Sequence, residues 1–348
     1  MNATGRGRRA RDLGIVIGEH GPGEHNAITD VPGVRVGHCT VLREPDIRTG
    51  VTAIVPDGVG PHAPLPAGLF AGNGHGKLVG ATQLAELGLI EAPVVLTATL
   101  SAFRAADAVV SWMLARPDCA DVRTFNPVVG ECNDGYLSDI RARPVGEEQV
   151  LEAVHGAAPG PVAEGCVGAG TGTGALGFKA GVGTASRVLD LAGGPVTLGV
   201  LVQANFGGTL RVLGSTVTPA SLGLTGSDTP DVGSCMVVVA TDAPLDARQL
   251  TRLARRAVFG LGRVGASYSH GSGDYGIAFS VRPGGAPPRD AALSPLFEAA
   301  LDAVEEAVLN SLFTATTTTG VGGRTLHAIP LPHLLAILRR GGAPLAGG

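Results

Sequence analysis

Apolar positions along this chain recur with two periods. Short runs rich in branched residues at Gly33–Val41, Val51–Val55 and Pro93–Leu100 predict strands, whereas Leu78–Leu87 and Ala102–Ala115 repeat every three to four residues and predict helices. Further along, the pattern predicts strands at Pro195–Ala204, Cys235–Ala240 and Ile277–Val281. It predicts helices at Glu147–His155, Ala247–Leu261, Ser294–Phe313 and Pro332–Arg340. Asp246 is the expected N-cap of the Ala247 helix, and Ser294 with Pro295 the cap and first turn of the next. Asn126–Tyr136 reads as a loop, and glycines crowd Gly165–Gly183. Strands and helices intermix too irregularly to demand a doubly wound parallel sheet. No period of about 20–50 residues repeats, so the chain is not a solenoid or propeller.

One junction stands out. From Gly223 to Gly233 the chain is polar and turn-rich, and directly after it Ser-Cys-Met-Val-Val-Val from Ser234 has the pattern of a buried strand. Composition narrows the partners. With 26 basic and 30 acidic residues the formal charge is −4, and aromatics are 4%, so neither a basic stripe nor a stacking platform for nucleic acid is present. No apolar run reaches the length of a membrane helix, and Leu13–Gly18 is too short for a signal segment, so a cytoplasmic protein without membrane contact is expected. The five cysteines are widely spaced without a Cys-x-x-Cys pair, which predicts reduced thiols and neither disulfides nor a metal site.

The strand-start serine has a chemistry that needs no histidine. If the chain is cut between Gly233 and Ser234, the freed α-amine stands beside its own hydroxyl. With a pKa of about 7.7–8.0 such an amine is partly unprotonated near neutrality and can take the hydroxyl proton. Before the cut, the same hydroxyl can attack the Gly233 carbonyl, where glycine offers least steric resistance. Taken alone, Ser272-Gly273-Asp274 reads as a solvated turn.

These residues carry a resemblance. Asp231–Val239, DVGSCMVVV, followed by Ala240-Thr241-Asp242-Ala243-Pro244-Leu245, resembles the cleavage region of the self-processing L-aminopeptidase/D-alanine-esterase-amidases and β-peptidyl aminopeptidases. Other family-like segments follow in order over nearly the whole chain. They are Gly72-Asn73-Gly74-His75-Gly76, VVGECNDGYL at Val128–Leu137, the Gly165–Ser186 tract, Gln203-Ala204-Asn205-Phe206-Gly207, Ser272-Gly273-Asp274 and Thr318-Thr319-Gly320. The resemblance implies an α+β fold: a four-layer αββα sandwich similar to the N-terminal-nucleophile hydrolases but differently connected. It implies one catalytic domain cut into fragments 1–233 and 234–348, a serine aminopeptidase without a cofactor that hydrolyses the bond after a free-amine N-terminal α- or β-amino acid in peptides, amides or esters, assembled as a tetramer of cleaved protomers.

Residue by residue, Ser234 matches the family nucleophile, Ser272 and Asp274 the supporting pair, and Tyr136 and Asn205 the oxyanion donors. If Ser272 begins a strand that continues through Tyr275–Val281, positions 272 and 274 project on one face, so hydroxyl and carboxylate can both approach the new amine and the nucleophile. A phenol and a carboxamide both donate to developing negative charge. Glu131 is the acid expected to hold the substrate's amine, with Asp134 behind it. Two other functions stay open on sequence alone: a self-processing acyltransferase, and an uncleaved small-molecule-binding module using the glycine tract. Gly172–Gly177 satisfies G-x-G-x-x-G but lacks a full preceding strand, and His270 lies too close to Ser272 and Asp274 on one strand for a converging triad. Cys235 is expected to point away from the face of Ser234.

Overall fold

The computed structural model describes residues 8–191, 193–224 and 233–346; most of the polar loop, including Asp231 and Val232 of the cleavage-like motif, lies outside the described residues. In the first sheet, β1 (Val34–Arg43) and β2 (Ile47–Pro56) form a long antiparallel hairpin, and β5 (Val94–Ala98) and β6 (Val128–Cys132) extend it, the last two parallel. The second sheet runs β4 (Leu89–Ile90), β3 (Leu65–Gly74), β14 (Gly273–Ser280), β13 (Ser234–Thr241), β10 (Gly194–Asn205), β9 (Val182–Leu191). Three short pairs complete the strands: β7 (Gly174–Ala175) with β8 (Phe178–Lys179), β11 (Leu210–Val212) with β12 (Ser215–Val217), and β15 (Thr318–Thr319) with β16 (Thr325–Leu326). The helices are α1 (Ala81–Glu86), α2 (Ala102–Leu114), α3 (Glu147–His155), α4 (Ala247–Arg263), α5 (Ser294–Phe313) and α6 (Leu331–Arg340).

Strand alternation sorts the buried residues into three cores. Val36, Ile54, Leu96 and Val128 of one sheet meet Leu201, Met236, Val238 and Ile277 of the other in the middle. The outer face of the first sheet packs on α2 and α3 through Val51, Val95, Val109 and Val150. The outer face of the second, through Val200, Val237 and Val239, packs on α4 and α5 through Leu253, Ala257, Val304 and Val308. This is the four-layer αββα sandwich. At Gly183 the sheet and α5 touch so closely that a Cβ would stand 2.0 Å from the Ala307 carbonyl oxygen, which explains a glycine inside β9. A buried ion pair, Arg187 with Glu306 at 2.8 Å, ties the same strand to the same helix.

The predicted elements differ from the observed ones where glycine or polar residues hide a strand. Val128–Cys132 is a fully buried five-residue strand inside the segment expected to be a loop, and β3 and β9 were not expected. Asp246 caps α4, accepting from the Gln249 N–H at 2.7 Å. Ser294 is instead the first helical residue of α5 and makes no side-chain cap. Among the described residues no helix is long and apolar enough to cross a membrane.

Candidate active site

Ser234 is the first residue of β13, and its neighbours on both sides are candidate residues or their immediate partners. Across the antiparallel pair it stands opposite Asn205, the last residue of β10; across the parallel pair it stands beside Gly273. Gly233, directly before Ser234, sits in a narrow gap. A Cβ on Gly233 would lie 2.2 Å from the Asn205 carbonyl oxygen and 2.5 Å from the Phe206 Cα, so only glycine passes. The Gly233 carbonyl oxygen accepts a hydrogen bond of 3.2 Å from the Gly273 N–H. The sequence did not single out this donor, although it is the middle residue of Ser272-Gly273-Asp274.

Ser272 immediately precedes β14, and its hydroxyl donates to Asp274 Oδ1 at 2.8 Å, so the two side chains do share a face. Both are buried. Register then refines the expected arrangement. Asp274 pairs with Cys235 and Gly273 with Ser234, so alternation puts Asp274 on the Cys235 side of the sheet and Ser234 on the Met236 side. The carboxylate is therefore held beside the backbone of the strand that begins at Ser234, near the Cys235 N–H. Burial pushes Asp274 up to about 6, against the opposing hydrogen bonds from Ser272 and Cys235. Its Oδ2 has no hydrogen-bond partner among the described residues.

Asn205 is oriented from two directions. Its Nδ2 donates to the Asn133 carbonyl at 3.1 Å and its Oδ1 accepts from the Gly174 N–H at 3.2 Å, leaving one amide hydrogen uncommitted among the described residues. Asn133 opens the turn that carries Tyr136, closed by the Leu137 and Ser138 N–H groups on the Asp134 carbonyl at 3.1 and 2.9 Å. Tyr136 is half-buried, with the Arg324 guanidinium 5.3 Å above its ring centroid. Its hydroxyl makes no hydrogen bond among the described residues.

Glu131 is buried in β6; its Oε1 accepts from the Lys77 N–H at 2.8 Å and its Oε2 from the Thr99 hydroxyl. Its charge adds to burial in raising Tyr275 and Asp134. Asp134 is buried too, pushed up to about 7 chiefly by burial, and its Oδ1 is unpartnered among the described residues. The next residue of β6, Cys132, donates its thiol to the Ser234 carbonyl at 3.3 Å and belongs to the site without any signal in the sequence beyond its place in VVGECNDGYL. His270 is exposed and its ring neighbours His75, centroids 6.2 Å apart, with no bond to the Ser272 pair among the described residues.

Two other singled-out segments border the site without supplying any of the eight candidate residues. Thr318-Thr319-Gly320 lines a cavity of about 810 Å³ together with Arg48 and Cys166, and none of the eight candidate residues lines it. The glycine tract wraps Lys179, a fully buried ammonium that donates to the Gly170, Thr173 and Ala180 carbonyls at 3.2, 2.8 and 2.5 Å. After Gly177 the chain enters a strand, where a dinucleotide loop would enter a helix.

The model of peptidase family S58 matches residues 26–326. The beta-peptidyl aminopeptidase BapA of Sphingosinicella microcystinivorans is 41% identical over 378 aligned positions, covering 97% of this chain and 93% of that one. Among solved structures, the PH0078 protein from Pyrococcus horikoshii OT3 superposes with a TM-score of 0.90 at 42% identity, covering 96% of this chain and 99% of its own. The L-aminopeptidase D-Ala-esterase/amidase from Ochrobactrum anthropi, described as a prototype for the serine aminopeptidases and a variant of the Ntn hydrolase fold, superposes with a TM-score of 0.87 at 39% identity, covering 97% and 99%.

Proposed function

This chain belongs to peptidase family S58, and from that premise we propose that it is a serine aminopeptidase that cuts itself between Gly233 and Ser234 and then uses the new N-terminal serine on free-amine peptides, amides or esters. The observation that carries the reading is the convergence on one strand end: Ser234 opposite Asn205, the Gly233 carbonyl under the Gly273 N–H, and the Ser272–Asp274 pair alongside.

In self-cleavage, Ser234 Oγ attacks the Gly233 carbonyl carbon, and the Gly273 N–H, already on that oxygen, stabilises the negative charge that develops there. The Oγ proton passes to the Ser234 nitrogen as the C–N bond breaks, the acyl group is left on Oγ as an ester, and water hydrolyses it to the Gly233 carboxylate and the free hydroxyl. In turnover, the freed amine takes the Oγ proton, and Oγ adds to the substrate carbonyl. The oxyanion is met by the uncommitted Asn205 amide hydrogen and the unbonded Tyr136 hydroxyl, each worth about 3–4 kcal/mol when preorganised. The amine then protonates the leaving group, and water hydrolyses the acyl ester. The unpartnered Asp274 Oδ2 supports the ammonium forms along the way. Glu131 receives the substrate's own ammonium. The proposal includes a tetramer of cleaved protomers, supported by the family resemblance.

A panel of free-amine dipeptides, amides and aminoacyl anilides tests the activity; no turnover of any would refute it. Ser272→Ala and Asp274→Asn should each slow processing or turnover more than tenfold, a loss above about 1.4 kcal/mol. Asp274 also sets a pH dependence. In the uncleaved chain it loses its charge as pH falls through about 6, so self-cleavage of chain made by cell-free synthesis should slow across that range. The Asp274→Asn rate, read from gel time courses, should be flat there. Wild-type rates in both variants would return the pair to a structural turn.

A further inference from the structure

The polar network of the site has an outer member that the family-like motifs do not include. Arg324 lies just before β16, exposed, yet its guanidinium is fixed from three sides. Nε donates to the Val321 carbonyl at 3.1 Å, Nη2 donates to the Gly135 carbonyl at 3.2 Å, and the plane stands over the Tyr136 ring at 5.3 Å. Nη1 has no partner among the described residues. An exposed arginine normally loses side-chain entropy on being held by a ligand; here the backbone and the ring have already immobilised it, so a further ligand meets a preorganised charge. The cation–π contact also places that charge next to Tyr136, the residue assigned to the oxyanion.

The geometry points to Arg324 as the residue that binds the C-terminal carboxylate of the substrate, making zwitterionic dipeptides the preferred substrate class. The inference rests on the proposed aminopeptidase reading and deepens it. In a dipeptide only one residue separates the scissile carbonyl from the terminal carboxylate. A group recognising that carboxylate must therefore stand close to the oxyanion donors, and the Arg324 guanidinium stands over the ring of one of them. At the opposite end Glu131 is the partner for the ammonium. Together the buried carboxylate of Glu131 and the fixed guanidinium of Arg324 complement the charges of a molecule with a positive amino and a negative carboxyl terminus. Amidation of the C-terminus removes the negative charge and leaves Arg324 facing a neutral group, whereas lengthening the peptide carries the carboxylate past it.

The experiment compares kcat/KM for alanyl-alanine and alanyl-alanine amide, on the cleaved wild-type protein, Arg324→Gln and Arg324→Lys. Wild type should favour the free dipeptide about tenfold or more, mainly through KM. Arg324→Gln should bring the ratio to about one, and Arg324→Lys should keep an intermediate ratio, because an ammonium retains the charge but not the planar fork. The ratio separates recognition from support. If Arg324 only braces Tyr136, both substrates fall together and the ratio stays at its wild-type value, which would overturn the assignment, as would a wild-type ratio at or below one. Failure of wild type on both substrates would instead refute the aminopeptidase reading itself.

Discussion

Ser234→Ala is expected to remain one uncut chain of 348 residues and to lose hydrolysis by on the order of 10⁴-fold or more, while folding normally. The size follows from the double use of one atom. In the proposed mechanism Oγ is the nucleophile of self-cleavage, and without that cut no α-amine exists to serve as base, so both roles vanish with one hydroxyl. The fold should not notice, because β13 is paired along its length on both sides and loses only a hydroxyl at its first residue. Intact-mass spectrometry reads the chain, circular dichroism the fold, and an aminoacyl anilide the activity. Wild-type protein should give a fragment beginning at Ser234. A wild-type preparation that stays uncut yet turns over substrate would end the N-terminal-nucleophile mechanism.

The second large effect belongs to the substrate's amine. N-acetylation of a good dipeptide or anilide is expected to abolish measurable hydrolysis, and Glu131→Gln mainly to raise KM for the free-amine form. Glu131 is buried with both oxygens already anchored, by the Lys77 N–H and the Thr99 hydroxyl, so its position is fixed before substrate arrives. An acetylated amine brings bulk but no charge, leaving a desolvated carboxylate without its counter-ion, an error that costs several kcal/mol in buried pairs, roughly 3–5 when one partner is missing. Comparable kcat/KM for acetylated and free substrates would refute the aminopeptidase assignment. An unchanged KM in Glu131→Gln would move the amine site to Asp134, the second buried acid of the same segment.

Strong local signals in the sequence survive in the structure, and weak ones do not. Asp246 is a cap because its carboxylate can reach Gln249 N–H whatever the tertiary context, and Ser234 begins a strand because a polar loop meets an unbroken apolar run. Ser272 and Asp274 bond as their spacing implies. By contrast β6 is only five residues long, buried throughout, and contains Gly130 and Glu131, so neither alternation nor apolarity marks it. β3 and β9 carry glycines where helices or neighbouring strands approach, which reads locally as turn. The opposite faces of Asp274 and Ser234 follow from a parallel register that no local pattern reports. The Gly273 N–H and the Cys132 thiol act through backbone carbonyls, and such contacts become visible only once the strands are paired.

The strand order of the second sheet has a consequence for how the protein comes apart. β13 and β14 belong to the segment after Gly233, while β3 and β4 on one side and β9 and β10 on the other belong to the segment before it. Once the junction is cut, the shorter piece is clasped between two edges of the longer one, and neither can leave without tearing a six-stranded sheet along two seams. Native protein should therefore migrate as one body. Denaturation, however, releases two molecules where one was synthesised, and re-forming the sheet becomes a second-order encounter. Activity regained on dilution from urea should fall with decreasing concentration of the mature protein, whereas the uncut Ser234→Ala chain should regain its native spectrum at a rate independent of concentration. Synthesis would then be the only efficient route to the fold, and each unfolding of the mature protein a nearly irreversible loss.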